Sequence, residues 1–228
     1  MRISVVIPCY NEEKIIKKTM DDLVNFFEKN KKKIFDYELI FVDDGSTDET
    51  FNILTENHLN RKIVVISYYD NHGKGDAVRS GLIKTKFDTI LILDADLSVK
   101  PDEIMKNIFT IKTARKPLMI IGKRIQVVKQ PLHRILAGFC YRWLVKIMFQ
   151  WKYDDTQCCY KVLVNIPEDI FYSLSTKGFS YDVELIKAIR DARYPIVQQE
   201  VKYYNNDDSK VTLKKTIKMF FELLRIRF

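Results

Sequence analysis

The amino-acid sequence predicts an α/β protein: a single, mostly parallel sheet flanked by helices. Three observations lead there. Short apolar, β-branched runs alternate with helical periodicity four times over in the first half of the chain. Three of those runs end in polar clusters, which right-handed crossovers would gather on one edge of a parallel sheet. At 228 residues, 46% hydrophobic and 30% charged, the chain is long enough and ordinary enough for one substantial core.

Ile3–Ile7 is the first buried strand, ended by Pro8. Asn11 is the expected cap of the next helix, with Glu12 and Glu13 in its first turn. That helix runs to about Asn30 and carries Ile15, Ile16, Met20, Leu23, Val24 and Phe27 on one face. Tyr37–Val42 is the second strand and ends in Asp43-Asp44-Gly45-Ser46-Thr47-Asp48. That loop reads either as a turn whose Ser46 or Thr47 caps a helix, or as a nucleoside grip. A carboxylate accepts hydrogen bonds from a base N–H or a ribose hydroxyl.

Lys62–Ser67 is the third strand. After it, Gly73-Lys74-Gly75 opens a helix and resembles an anion cradle, although the spacing is neither that of a P-loop nor GxGxxG. The fourth strand, from Ile90, ends in Asp94-Ala95-Asp96. Two carboxylates at i, i+2 around a small residue are hard ligands, suited to a divalent metal with positions left for phosphate oxygens. Two exposed acids in a turn are the alternative. Pro101 begins another helix, and Leu118–Ile121 is a fifth strand ending in Gly122-Lys123-Arg124.

The second half differs. Ile104 to Tyr153 contains no Asp or Glu, while Lys and Arg recur. Leu132–Trp151 reads as a helix, either packed in the core with one solvated face or lying among lipid headgroups. Asp154 to Lys161 is a polar turn entering a short strand; Ser180 caps a helix to about Arg193; Ile196–Val201 is a final strand. Thr212 is the expected cap of an amphipathic tail with six basic side chains from Lys210 onward against one acid. That tail suits packing on the body, pairing in a homodimer, or contact with an anionic membrane.

A net charge of +8 suits acidic partners: nucleotides, nucleic acid or anionic lipid. No nucleic-acid motif is present, so no nucleic-acid partner is expected. The four cysteines form no CxxC pair and no zinc spacing, which reads as reduced thiols and a cytosolic setting. No signal peptide is visible, and no run nears the roughly 20 apolar residues that span a bilayer.

Taken together, Val5-Val-Ile-Pro-Cys-Tyr-Asn-Glu12, Val42-Asp-Asp-Gly-Ser-Thr-Asp48, Asn71-His-Gly-Lys-Gly-Asp-Ala-Val-Arg79 and Asp94-Ala-Asp96 resemble, in order and spacing, family 2 glycosyltransferases of the GT-A fold. Gly122-Lys-Arg124, Asp155-Thr-Gln-Cys158, Tyr181-Asp-Val-Glu-Leu185 and Ser209-Lys210 resemble the subset that makes polyprenyl-phosphate sugars. Dolichyl-phosphate mannose synthases and, more closely, dolichyl-phosphate β-glucosyltransferases belong to it.

The resemblance implies one GT-A domain over residues 1–228. Residues 1–124 would form the nucleotide-sugar and metal half, and 125–228 the acceptor and membrane-interface half. Pro8, Tyr10, Glu12 and Asp43, with Asp44, Lys74, Gly75 and Ala95, would line the nucleotide sugar. Asp94 and Asp96 would carry Mg²⁺ or Mn²⁺, with Ser98, a shorter metal ligand acting through water, where mannose synthases place a metal-binding Gln. Arg124, Arg134, Ser209 and Lys210 would hold the acceptor phosphate. An Arg that often precedes the Ser-Lys pair is not evident here, which leaves Lys202 or Lys210 in its place. Asp182 or Glu184 falls where relatives with hydroxyl acceptors keep a base, and Asp182 is the expected catalytic or positioning acid.

The implied reaction is inverting transfer of a hexose to a polyprenyl or dolichyl monophosphate. UDP-glucose is the favoured donor and GDP-mannose stays open. The implied location is the cytoplasmic face of a membrane, as a peripheral protein. The rivals are a relative with a sugar hydroxyl acceptor, a nucleotidyltransferase, and a basic nucleic-acid-binding module.

Overall fold

The computed structural model describes residues 1–56, 61–127, 132–204 and 213–227, without the side chains of 132–137 and 213–217. In chain order the elements are β1 (Arg2–Cys9), α1 (Ile16–Lys29), β2 (Asp36–Asp43), α2 (Thr50–Glu56), β3 (Ile63–Ser67), α3 (Lys74–Ile83) and β4 (Thr89–Ile92). A 3₁₀ segment (Pro101–Asn107) leads into α4 (Ile108–Thr113), β5 (Leu118–Gln126) and α5 (Leu132–Phe149). Then come β6 (Lys161–Val164), α6 (Glu168–Ser173), α7 (Tyr181–Asp191), β7 (Ile196–Tyr203) and α8 (Leu213–Arg227).

The seven strands form one sheet in the order β3-β2-β1-β4-β6-β5-β7. All pairs are parallel except those of β6, which runs antiparallel to β4 and β5. The first five strands and the last were legible as strands because, apart from the edges, they are apolar on both faces, as a doubly covered sheet requires. The direction of β6 was not legible. It has a functional consequence: its N-terminal end, with the loop before it, comes to the edge where the parallel strands have their C-terminal ends.

Alternate residues feed two cores. On one face Val5, Ile7, Leu39, Phe41, Leu91 and Val162 pack under Ile16, Met20, Leu23 and Phe27 of α1. Burying each of those α1 side chains contributes roughly 1.5–3 kcal/mol, an upper figure for a realistic unfolded chain. On the other face Val6, Ile92, Met119 and Leu163 meet α3, α5, α7 and two residues of α8, Met219 and Leu223. The C-terminal helix therefore packs on the body, and Ser180 Oγ donates to the Met219 carbonyl at 3.2 Å.

Several local expectations are corrected. α1 begins at Ile16 and Asn11 does not cap it; Asn11 has φ +52° and joins two loops instead. α2 is capped by neither Ser46 nor Thr47: Asp48 Oδ1 accepts the Thr50 N–H at 3.0 Å. Ser180 stands at the start of α7, but its hydroxyl makes no cap bond there. α5 ends at Phe149, short of Trp151, and the six-residue α6 was not foreseen. Thr212 lies outside the described residues. Among the described residues no helix is long and apolar enough to cross a membrane.

Candidate active site

Four loops meet at the C-terminal edge of the parallel strands, where open α/β sheets bind ligands. The loops after β1 and β2 are stitched together. Asn11 N–H donates to Ser46 Oγ at 2.9 Å, Thr47 N–H to Asn11 Oδ1 at 2.8 Å, and Glu12 N–H to Thr50 Oγ1 at 2.7 Å. Ser46 in turn donates to Asp43, which is 2% exposed. Burial pushes the Asp43 carboxyl up, against the hydrogen bonds of Ser46 that favour its anion. Pro8, Tyr10 and Glu12 line the same loop pair, half-buried.

The loop after β3 corrects the anion-cradle expectation. The N–H groups of His72 and Gly73 and the amide of Asn71 all donate to the Asp44 carboxylate, at 2.8 to 3.1 Å. The anion at the start of α3 is thus the protein's own. Gly45, at φ +69°, lets this crossing happen, because a Cβ there would stand 2.5 Å from the Asp70 carbonyl carbon. Gly75 donates its N–H to the Lys177 carbonyl at 2.8 Å, and a Cβ on it would stand 2.0 Å from the Thr176 oxygen. Asp44 and Gly75 therefore build the loop, and Lys74 between them is the residue that reaches the site.

Beyond β4, Asp94 and Asp96 stand half-buried on either side of Ala95. Thr19 of α1 donates to the Ala95 carbonyl at 2.5 Å and fixes the turn from below. Lys74 Nζ lies 2.5 Å from Asp94 Oδ1. Burial would lower the Lys74 ammonium's pKa, but Asp94, and Asp182 behind it, hold it above the ordinary value. Ser98, 2% exposed, donates its N–H to Asp96 Oδ1 at 2.8 Å and its hydroxyl to Oδ2 at 2.6 Å. Its hydroxyl is thus turned onto Asp96, which it orients. Among the described residues no three His, Cys, Asp or Glu side chains converge as a metal group. Two hard, half-buried carboxylates fit a divalent cation that draws its remaining ligands from substrate phosphates.

Antiparallel β6 delivers the far wall. Arg124, at the end of β5, donates from Nε and Nη2 to the Asp155 carboxylate at 2.6 and 2.9 Å and stacks on the Tyr203 ring at 5.4 Å. Burial would raise Asp155, but the Arg124 guanidinium outweighs it and holds the carboxyl below its ordinary range. Lys161, fully buried on β6, pairs with Asp182 and donates to the Cys158 carbonyl at 2.5 Å. Burial nonetheless leaves the Asp182 carboxyl raised, against the pull of Lys161 and Lys74. Glu184 is spent on the Ser175 and Thr176 N–H groups, so Asp182 is the acid that faces the site. The Cys159 thiol is pushed well up by its hydrogen bond with Cys158, by burial and by Asp94 nearby.

Of the expected site residues, the structure gathers Asp43, Lys74, Asp94, Ala95, Asp96, Ser98, Arg124 and Asp182 along this edge. The Arg134 side chain, Ser209 and Lys210 lie outside the described residues. Sequence reasoning missed Asp155 as the partner of Arg124 and Lys161 as the partner of Asp182. A lysine inside Cys158-Cys-Tyr-Lys161-Val-Leu-Val164, an otherwise apolar run, was the available signal.

The profile of glycosyl transferase family 2 matches residues 4–166. The dolichyl-phosphate beta-glucosyltransferase of Mus musculus is 32% identical, over 99% of this chain and 75% of its own length. The protein of that name from Saccharomyces cerevisiae is 33% identical, over 99% and 74%. Among solved structures, glucosyl-3-phosphoglycerate synthase from Mycobacterium tuberculosis, in complex with Mn²⁺, UDP and phosphoglyceric acid, superposes with a TM-score of 0.73. It is 19% identical, over 99% of this chain and 78% of that one. Mannosyl-3-phosphoglycerate synthase from Rubrobacter xylanophilus superposes at 0.69 with 17% identity, over 99% and 72%. At those identities the two structures speak to the fold, which is GT-A.

Proposed function

The chain belongs to glycosyl transferase family 2, and from that premise we propose that it transfers glucose from UDP-glucose to a polyprenyl monophosphate of the dolichyl type, with inversion, at the cytoplasmic face of a membrane. The observation that carries this reading is the pairing of two sites on one sheet edge. A carboxylate pair with an ammonium (Asp94, Asp96, Lys74) suits a nucleoside diphosphate, and an aligned guanidinium (Arg124) suits a second anion. The names of the relatives supply the donor sugar and the acceptor class.

Asp43, buried beside Pro8 and Tyr10, accepts hydrogen bonds from the nucleoside. Lys74 contacts the diphosphate. Held at Asp94 and Asp96, Mg²⁺ or Mn²⁺ supplies charge neutralisation for the leaving nucleoside diphosphate. Ser98 and Thr19 keep those carboxylates in place. The acceptor, a phosphate monoester, has a second pKa of about 6 and is largely a dianion at pH 7, so no residue need remove a proton. The chain's task is to bring anion to anion in line. Asp155 keeps Arg124 straight for that, and Arg142 lies close enough to add to the positive field around Asp155. Asp182, ion-paired to Lys161, positions Lys74 through its charge.

Attachment to the membrane is peripheral in this reading. On α5, Phe139, Trp143 and Ile147 follow at i, i+4 and i+8 and are 57%, 58% and 54% exposed. Phe221 of α8 is 63% exposed. Such an apolar stripe beside Arg142 and Lys146 suits the headgroup boundary of an anionic bilayer.

The experiment is a transfer assay with purified protein, polyprenyl monophosphate, Mn²⁺ or Mg²⁺, and labelled UDP-glucose or GDP-mannose in parallel. Label entering the lipid phase from UDP-glucose, and not with Asp96→Ala, is expected. Label from GDP-mannose alone would replace the donor, and donor binding without lipid labelling would replace the acceptor class.

A further inference from the structure

One carboxylate of the Asp94/Asp96 pair already holds a cation. The Lys74 ammonium is 2.5 Å from Asp94 Oδ1, and the two side chains are only 22% and 30% exposed. The Asp96 oxygens accept from the N–H and the hydroxyl of Ser98. A dication arriving at this pair with no substrate would meet a like charge at close range in a partly desolvated site, where such repulsion is weakly screened. A nucleoside diphosphate changes the balance. It gives the ammonium a second set of anionic oxygens, and it gives the dication the ligands that two carboxylates leave unfilled.

The backbone that carries Lys74 is pinned. Gly73 N–H is held by Asp44, and Gly75 N–H by the Lys177 carbonyl. Any movement of the ammonium is therefore confined to the four-carbon stem, whose Nζ lies 5.9 Å from the Phe179 ring.

We propose that Lys74 couples metal entry to donor entry: it occupies Asp94 until a nucleoside diphosphate arrives, then transfers its ammonium to the phosphates and frees Asp94 for the dication. This rests on the reading of Asp94 and Asp96 as the metal-holding pair. Reciprocity follows, since whatever factor the diphosphate adds to metal affinity, the metal adds to diphosphate affinity.

The test reads binding, not turnover. Mn²⁺ is titrated into the full chain and free Mn²⁺ is followed by its paramagnetic resonance signal, with and without UDP. The proteins are wild type, Lys74→Met, Lys74→Gln, Lys74→Arg and Asp96→Ala, each checked for native circular dichroism. Without UDP, Lys74→Met and Lys74→Gln are expected to bind Mn²⁺ at least tenfold more tightly than wild type, while Lys74→Arg stays close to it. The factor by which UDP tightens Mn²⁺ binding is expected to fall at least tenfold in both neutral variants. Unchanged or weaker Mn²⁺ binding without UDP in both neutral variants, or an undiminished UDP factor, overturns the coupling. Asp96→Ala separates the two readings. If it binds Mn²⁺ like wild type, the metal pair itself is misassigned; if it loses Mn²⁺ while Lys74→Met and Lys74→Gln change nothing, only the coupling fails.

Discussion

Replacing Lys161 by Met is the sharpest test of how the site is supported. The ammonium is fully buried on a central strand, and its partner Asp182 is 5% exposed at the start of α7. Met fills nearly the same volume, so little of the effect comes from a cavity. What remains is a buried carboxylate without its direct ion-pair partner, with Lys74 acting on it only at longer range, and breaking a buried pair in this way costs about 3–5 kcal/mol. The assay is urea denaturation at pH 7.5, with the slope compared to confirm that the transition is unchanged. The pH dependence has a definite sign. Asp182 is already raised by burial in the wild type, and losing Lys161 raises it further. A carboxyl whose folded pKa lies above its unfolded value of about 3.9 binds protons more readily when folded, so it opposes folding as pH rises past that value. The deficit of the variant is therefore expected to shrink as pH falls from 7.5 towards 4. Lys161→Met combined with Asp182→Leu is expected to recover most of the loss, because no charge is left unpaired. A single-variant deficit below about 1 kcal/mol, or a deficit that grows on acidification, would refute the reasoning.

Three further outcomes are expected. Ser98→Ala removes the hydroxyl that donates to Asp96 at 2.6 Å and should weaken Mn²⁺ binding roughly 10–100-fold in the presence of UDP, with stability within about 1 kcal/mol of wild type; calorimetry reads the first and thermal melting the second. Arg124→Lys keeps the charge but loses the two-pronged grip on Asp155, and about a tenfold or greater rise in acceptor KM is expected in the transfer assay, with donor KM unmoved. Trp143→Ser with Ile147→Ser removes two exposed apolar side chains of α5, and sedimentation with anionic vesicles should drop at least tenfold while UDP binding persists; retained vesicle binding would exclude this stripe from the contact.

The sequence by itself determined the strands and all the helices but α6, though not every helix end, and which edge of the sheet gathers the polar clusters. Buried parallel strands must be apolar on both faces, so polar clusters such as Asp43–Asp48 and Asp94-Ala-Asp96 could only be strand ends. The order and spacing of those clusters also carried the family, because their residue types follow one another along the chain. Tertiary structure alone decided what the side chains in them face. Asp43 and Asp44 are adjacent in sequence, yet alternation sends one onto Ser46 in its own loop and the other onto the start of α3. Asp182 and Glu184 look equivalent in sequence, yet the close contact of the 175–176 loop takes up one and leaves the other to Lys161. The direction of β6 was beyond reach for the same reason. A four-residue run such as Lys161-Val-Leu-Val164 reads the same as a parallel or an antiparallel strand, and only its pairing with β4 and β5 fixes that Asp155 meets Arg124 and Lys161 meets Asp182.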